Sequence, residues 1–253
     1  MVRLARLPLD MAAEGVGQLT GLLGRALYGR PAGPGDPLPA DAEIPVLLVH
    51  GLADGASVIP PLERELRGDG VGPFIQIGCN VFGPDIRKSA RSLSRQVELA
   101  CAGGAGRAAV VIGYSLGGLI ARYYVQRLGG DAYVPLVITL ATPHGGTATA
   151  LLAPAHRRLR QLRPGSELLT ELAEPAARCR TRFVAFYSDM DEAVIPAARG
   201  RIDHPDLKAH NILVPGVGHL TLPLHRPVID EMRTLLAAAE VAFAARHPEG
   251  DSP

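Results

Sequence analysis

The chain has 253 residues, 47% of them hydrophobic and 20% charged, with a formal net charge of +1. That is the balance of a globular protein long enough to bury a substantial core. The near-neutral charge gives no global field for nucleic acid or an anionic membrane, and no run of 18 consecutive apolar residues is available to span a bilayer. Three cysteines, Cys79, Cys101 and Cys179, allow at most one disulfide, have no C-x-x-C spacing and read as buried thiols, so neither a metal nor a cofactor is expected. The basic residues are 24 arginines and two lysines, which with abundant Ala, Gly and Pro reads as a coding bias rather than a function.

Residues 1–43 read as an N-terminal helical segment and linker. Val16, Leu19, Leu22, Leu23 and Leu27 recur at helical spacing. This predicts a helix packed on the outside of the domain; the alternative is an interfacial helix in contact with a lipid surface. The segment begins basic but lacks the compact apolar stretch and cleavage site of an export signal. The expectation is therefore a cytoplasmic protein, with peripheral membrane attachment as the alternative. GRPAGPGDPLPADAE (29–43) is a Pro- and Gly-rich linker. The main domain is expected over 44–246, with a tail at 247–253.

Strand and helix signals then alternate. IPVLLVH (44–50) is a continuous apolar run, as expected of a strand buried on both faces. Pro60 to Leu66 suggests a short helix. PFIQIG (73–78) is the next strand. Asp85 stands at an N-cap position, followed by the stripe Ile86, Ala90, Leu93, Val97 and Ala100. RAAVVIG (107–113) is a strand, and Leu116 to Leu128 is a helix ended by Gly129 and Gly130. VPLVITL (134–140), TRFVAFYS (181–188) and HNILVPG (210–216) are strands. Val228, Met232, Leu235, Ala239 and Ala242 mark a last helix. The alternation predicts an α/β fold with a mostly parallel sheet and helices on both faces.

Residues 147–180 break the alternation. Leu151, Leu152, Leu159 and Leu162 interleave with Arg157, Arg158, Arg160 and Arg163, and SELLTEL (166–172) follows Pro164-Gly165. A two-helix insertion is expected, either a lid over the ligand site or ordinary crossover helices, with the arginines as a solvated face.

The chemistry is carried by GYSLGG (113–118). Its G-x-S-x-G falls between an apolar strand and an apolar helix, the setting of a nucleophile elbow. Ser115 would stand on a strained turn. Gly113 and Gly117 let strand and helix pack closely, and Gly118 adds slack. A serine needs a base, and the base an orienting carboxylate, here expected in the order Ser, acid, His. DMDEAVIP (189–196) follows one strand and offers Asp189, Asp191 and Glu192; Asp191 is preferred because Val194 and Pro196 follow shortly, with Asp189 as the alternative. GVGHLTLP (216–223) follows the last strand and offers His219, with His225 as the alternative base. The oxyanion donors are expected to be the N–H of Leu116 and, from the H-G-L-A-D-G loop (50–55), the N–H of Leu52. Gly51 allows that loop to turn tightly. His50 is assigned a structural role, as is His144 in T-P-H-G-G-T (142–147), with a ligand or catalytic group as the alternative for His144.

Taken together, LLVHGL, GYSLGGLIARYYVQRLGGD, TLATPHGGT, LRPGSELL, FYSDMDEAVIP and GVGHL resemble the bacterial lipases and esterases of the α/β-hydrolase superfamily over roughly residues 44–236. The resemblance implies an α/β-hydrolase fold, a carboxylic-ester hydrolase, a triad of Ser115, Asp191 and His219, oxyanion donors at Leu52 and Leu116, and a lid around 147–180. The chain departs from it in carrying Tyr114-Ser115-Leu116 where His-Ser-Met is common. The expected substrate is a small-molecule or lipid ester with an apolar acyl group, attracted by Leu52, Leu116, Leu151, Leu152, Leu220 and Leu222. Two further functions compete: an acyltransferase using the same acyl-enzyme, and a non-catalytic binding protein on the same fold.

Overall fold

The apolar runs become six strands: β1 (Val46–Val49), β2 (Phe74–Ile77), β3 (Val110–Tyr114), β4 (Leu136–Leu140), β5 (Arg182–Tyr187) and β6 (Lys208–Leu213). They form a single parallel sheet in the order β2-β1-β3-β4-β5-β6. The computed structural model describes residues 44–52, 57–67, 72–78, 85–102, 108–152 and 156–244. The expected N-terminal helix, the 29–43 linker and the 247–253 tail lie outside them, as does Cys79.

The central strands are apolar on both faces because both faces are covered. Leu47, Val49, Val111, Val137 and Phe183 point into one core, which they share with α2 (Ile86–Cys101), α3 (Leu116–Arg127) and α5 (Glu167–Ala173). Val46, Leu48, Val110, Ile112, Ile138 and Phe186 point into the other, shared with α1 (Ile59–Leu66) and α6 (Arg226–Ala244). Several helix ends fall where the sequence supplies a local reason. Asp85 caps α2 by accepting the Arg87 N–H at 3.0 Å, and Ser166 caps α5. Pro60 and Pro61 open α1 in the first turn, where a missing N–H costs nothing. Gly129, at φ +74°, follows the end of α3.

Each described strand lies within three residues of its expected bounds, and β6 alone among them starts early, at Lys208 rather than at residue 210. It is an edge strand, half-exposed along its length, so it carries a polar residue at its start and little apolar signal. Cys101 and Cys179 are free and buried. Among the described residues no helix is long and apolar enough to cross a membrane.

Because every strand is parallel, every strand-to-helix loop leaves from the same sheet edge. The chain runs from β1 to β2 on one side, then crosses over to β3 on the other. β1 and β3 therefore flank the point where strand order reverses, the usual place for a ligand crevice.

Candidate active site

Ser115 stands between β3 and α3 with φ 53° and ψ −121°, a conformation that residues bearing a Cβ rarely adopt. A serine at the start of a helix ordinarily turns its hydroxyl onto the helix's own N–H groups. Ser115 makes no such cap. Its N–H is held by the Leu140 carbonyl at 2.8 Å, and the positive φ swings Oγ away from the helix toward the loop that follows β6.

That loop presents His219, whose Nε2 lies 3.0 Å from Ser115 Oγ. The other ring nitrogen, Nδ1, is 2.9 Å from both carboxylate oxygens of Asp191, in the loop after β5. Asp191 is buried and fixed by its own loop, since Oδ1 also accepts the N–H groups of Ala193 and Val194 at 2.9 Å each. The structure thus brings Ser115, His219 and Asp191 into one hydrogen-bonded line. Asp189 does not join it: its Oδ1 accepts the Gly216 N–H at 2.7 Å and fastens one loop to the next. His225 lies beyond it too, its carbonyl accepting the N–H groups of Val228 and Ile229 at the start of α6.

The loop after β1 passes directly over the serine. A Cβ added to Gly51 would stand 2.9 Å from Ser115 Cβ and 3.4 Å from Oγ. This brings the Gly51–Leu52 peptide beside the hydroxyl. Leu116 is the first residue of α3, so its N–H has no carbonyl within its own helix to bond. Its side chain is buried in the core, leaving only the backbone to face the site.

The family model of palmitoyl protein thioesterases matches residues 45–197, well over half of the chain. The chain belongs to that family. The matched region contains the elbow and Asp191 and ends before His219. Among solved structures, the mature lipase BlEst2 of Bacillus licheniformis is similar at a TM-score of 0.63 and 19% identity, over 80% of this chain and 96% of that one. The product of gene lin2722 of Listeria innocua gives 0.56 and 16%, over 75% and 92%. The esterase RhEst1 of a Rhodococcus species gives 0.53 and 15%, over 78% and 91%. At these identities the likeness is one of fold, and the fold is that of the α/β-hydrolases. No curated protein matches the sequence.

In this thioesterase-family chain the 147–180 insertion folds as a single helical turn at Ala148–Leu151, a short α4 (Arg157–Gln161) and α5. The second half is bolted to the body. Leu168 and Leu172 are buried. Arg87 grips the Glu171 carboxylate through Nε at 3.1 and 3.0 Å, which holds that carboxyl below its ordinary pKa, and Tyr123 adds a bond at 2.9 Å. Arg122 and Gln126 donate to the Leu172 carbonyl at 3.0 and 2.9 Å, and Arg127 to that of Glu174 at 2.8 Å. Arg122 is itself buried with only carbonyl and amide oxygens as partners, and burial pulls its guanidinium down to about 10. The arginines of α4 divide. Arg157 and Arg160 are solvated as expected, whereas Arg158 is buried, because it falls on the inward face of the single turn. A cleft of about 600 Å³ lined by Asp85, Arg87, Lys88, Arg157, Arg160 and Glu167 lies between α2 and this insertion; none of Ser115, His219 and Asp191 lines it.

The remaining sequence-marked histidines are structural in their contacts. His50 Nδ1 lies 2.9 Å from the carbonyl of Gly51, and burial pulls its pKa below the ordinary value. His144 is buried with Nε2 3.0 Å from Thr139 Oγ1, while Nδ1 has no hydrogen-bond partner among the described residues. Burial, reinforced by the Arg122 charge, lowers its pKa well below 6.5. The folded protein therefore keeps His144 neutral where the unfolded chain would protonate it. The unfolded state binds the extra proton, so stability is full above about pH 6.5 and falls as the pH drops below it, by about 1.4 kcal/mol per pH unit for one such group. His144→Gln should flatten the slope of unfolding free energy between pH 6 and 5 by that amount, and an unchanged slope would reject the assignment. Among the described residues no group of His, Cys, Asp and Glu side chains converges as a metal site.

Proposed function

We propose that the chain hydrolyses acyl esters and thioesters through an acyl-enzyme on Ser115. The observation that carries this reading is the relay from Ser115 Oγ through His219 to buried Asp191, built on a serine with positive φ. A hydroxyl strained away from its own helix and bonded instead to a backed imidazole is the arrangement of an activated nucleophile. In the first half-reaction Ser115 Oγ attacks the acyl carbon and its proton passes to His219 Nε2. The oxyanion is met by the N–H groups of Leu116 and Leu52. The C–O or C–S bond then breaks, and the leaving alcohol or thiol takes the proton from His219. In the second half-reaction water gives a proton to His219 as it attacks the acyl carbon, the carboxylic acid departs and Ser115 regains its proton. Asp191 holds the imidazole in the tautomer with Nδ1–H and stabilises its cation.

An apolar acyl group fits the rim. Leu151, Leu152, Met190, Ile195, Leu220 and Leu224 are exposed, and all lie in the segments that follow β4, β5 and β6, on the sheet edge that carries Ser115. Leu222 and Leu116, buried in the cores, contribute to packing instead. The same exposed rim suits contact with a lipid surface. Any covering role falls to the segment ahead of α5, since α5 itself is tied to α2 and α3.

Two assays test the reading. An alkyl fluorophosphonate should add once per chain, at Ser115 by peptide mapping, and not at all to Ser115→Ala. Parallel ester and thioester series from short to long acyl chains should show turnover rising with chain length. Labelling elsewhere, or no turnover of either series, would reject it; transfer of the acyl group to an added alcohol in preference to water would make the protein a transferase.

A further inference from the structure

We propose that Glu192 and Tyr114 are positioning residues that clamp the main chain of His219 from its two sides. The proposal rests on the reading of His219 as the general base. His219 sits in a loop between β6 and the short helical turn Leu222–Leu224, three residues after Gly216 at φ +75° and one after Gly218. Two glycines ahead of the residue give its backbone freedom that a base held to hydrogen-bond geometry must lose.

Two bonds remove that freedom. The His219 N–H donates to Glu192 Oε2 at 3.0 Å. The His219 carbonyl accepts from the Tyr114 hydroxyl at 3.3 Å, and the Tyr114 ring lies 5.2 Å from the imidazole, tilted by 40°. With the ring bonds already described, all four polar atoms of His219 are engaged, and they are engaged by two pairs of consecutive residues. Asp191 takes Nδ1 and Glu192 takes the N–H. Ser115 faces Nε2 and Tyr114 takes the carbonyl. The elbow and the acid loop therefore each grip the base by ring and by backbone. A displacement of either loop moves the ring and the peptide together.

Gly218 fits the same account. A Cβ there would stand 3.2 Å from Glu192 Oε2, so the glycine leaves room for the carboxylate to reach the next N–H. Tyr114, at the position before the nucleophile, is buried at the end of β3, and so offers a fixed anchor. Glu192 has solvent on its outer side, which makes its replacement a test of position rather than of core packing.

The experiment compares wild type, Ser115→Ala, Glu192→Ala, Glu192→Gln and Tyr114→Phe on the best acyl substrate, with kcat and KM resolved and thermal unfolding recorded. Glu192→Ala should lower kcat about 10- to 100-fold, the scale expected of a small misplacement of a catalytic group, with KM within about twofold. Glu192→Gln keeps an oxygen acceptor and should recover most of that loss. Tyr114→Phe should lower kcat about 3- to 10-fold with KM again unchanged. A fully active Glu192→Ala beside an inactive Ser115→Ala would overturn the clamp alone. So would a Glu192→Gln as impaired as Glu192→Ala, or a loss that appears in KM. A wild type without turnover would overturn the functional reading and the clamp with it.

Discussion

Ser115→Ala should lower kcat by about four to six orders of magnitude with the fold intact, and His219→Ala should do nearly the same. Ser115 is exposed to the site only through its hydroxyl, and that hydroxyl has no bond to its own helix, so alanine removes a nucleophile and leaves no orphaned cap. The positive φ is kept, since alanine and serine share the same Cβ. The double variant should be no worse than either single one, because an unactivated serine and an unused base are equally idle. What remains, about a thousandfold over water, would come from the backbone donors at Leu52 and Leu116. Asp191→Asn belongs to the same series. It would still accept the N–H groups of Ala193 and Val194, but it would no longer stabilise the imidazolium, and a loss of about four orders of magnitude is expected. Single-turnover assays with labelled active sites separate these values from contaminating wild type. A Ser115→Ala enzyme within tenfold of wild type would remove the elbow from the chemistry.

The elements of the fold were legible because a strand covered on both faces has no room for a polar alternation. VLLV, VVIGY and LVITL carry their own signal, whereas in the half-exposed KAHNIL of β6 only the second half was legible. That Ser115, Asp191 and His219 share one edge followed from the parallel topology, since the loops after β3, β5 and β6 must leave from the same side; the elbow motif and the Ser-acid-His order then picked them out. The choice of Asp191 over Asp189 rested on the residues that follow it, and its two bonds to Ala193 and Val194 are the local fastening that those residues provide. What could not be read was whatever acts on main-chain atoms. Glu192 looked like a third candidate acid, but its carboxylate serves a peptide N–H 27 residues away. Tyr114 appeared as a substitution beside the serine, with no hint that its hydroxyl reaches the His219 carbonyl. The burial of Arg158 between exposed Arg157 and Arg160 depends on the rotation of a five-residue helix, too short to show a period. Nor does the sequence say that α5 is anchored: Arg122, Gln126 and Arg127 hold this segment by carbonyl oxygens, which every residue possesses, and the Arg87 and Tyr123 bonds to Glu171 join residues far apart in the chain.

The second large effect is expected from a single methyl group at Gly117. A Cβ there would stand 2.1 Å from the Val49 carbonyl oxygen, 2.7 Å from its carbon and 2.8 Å from the His50 oxygen. All three are backbone atoms at the end of β1, so no side chain can swing aside. Gly113 meets the same constraint from within the elbow, where a Cβ would lie 2.5 Å from Gly118 Cα. Relief requires the first turn of α3 to move away from β1 by about 1 Å or more, against a sheet fixed by β3 and β4 on its other side. Gly117→Ala should therefore destabilise the protein by about 3 kcal/mol or more, the upper range for overpacking a closed site. The cost would not be confined to stability. The turn that moves carries Ser115 Oγ and the Leu116 N–H, and the strand end it moves from leads into the Gly51–Leu52 peptide. The fraction that stays folded should lose about 100-fold in kcat, since Ser115 Oγ and the N–H groups of Leu52 and Leu116 would no longer converge. Gly129→Ala is the control. Its φ is +74°, but among the described residues no atom lies within 4 Å of an added Cβ, so it should cost only about 1–2 kcal/mol, as for a left-handed residue, and leave kcat unchanged. Denaturant midpoints and kcat measured on both variants separate crowding from backbone strain. A Gly117→Ala protein with the midpoint of wild type would mean that β1 and α3 are not packed as closely as the elbow requires.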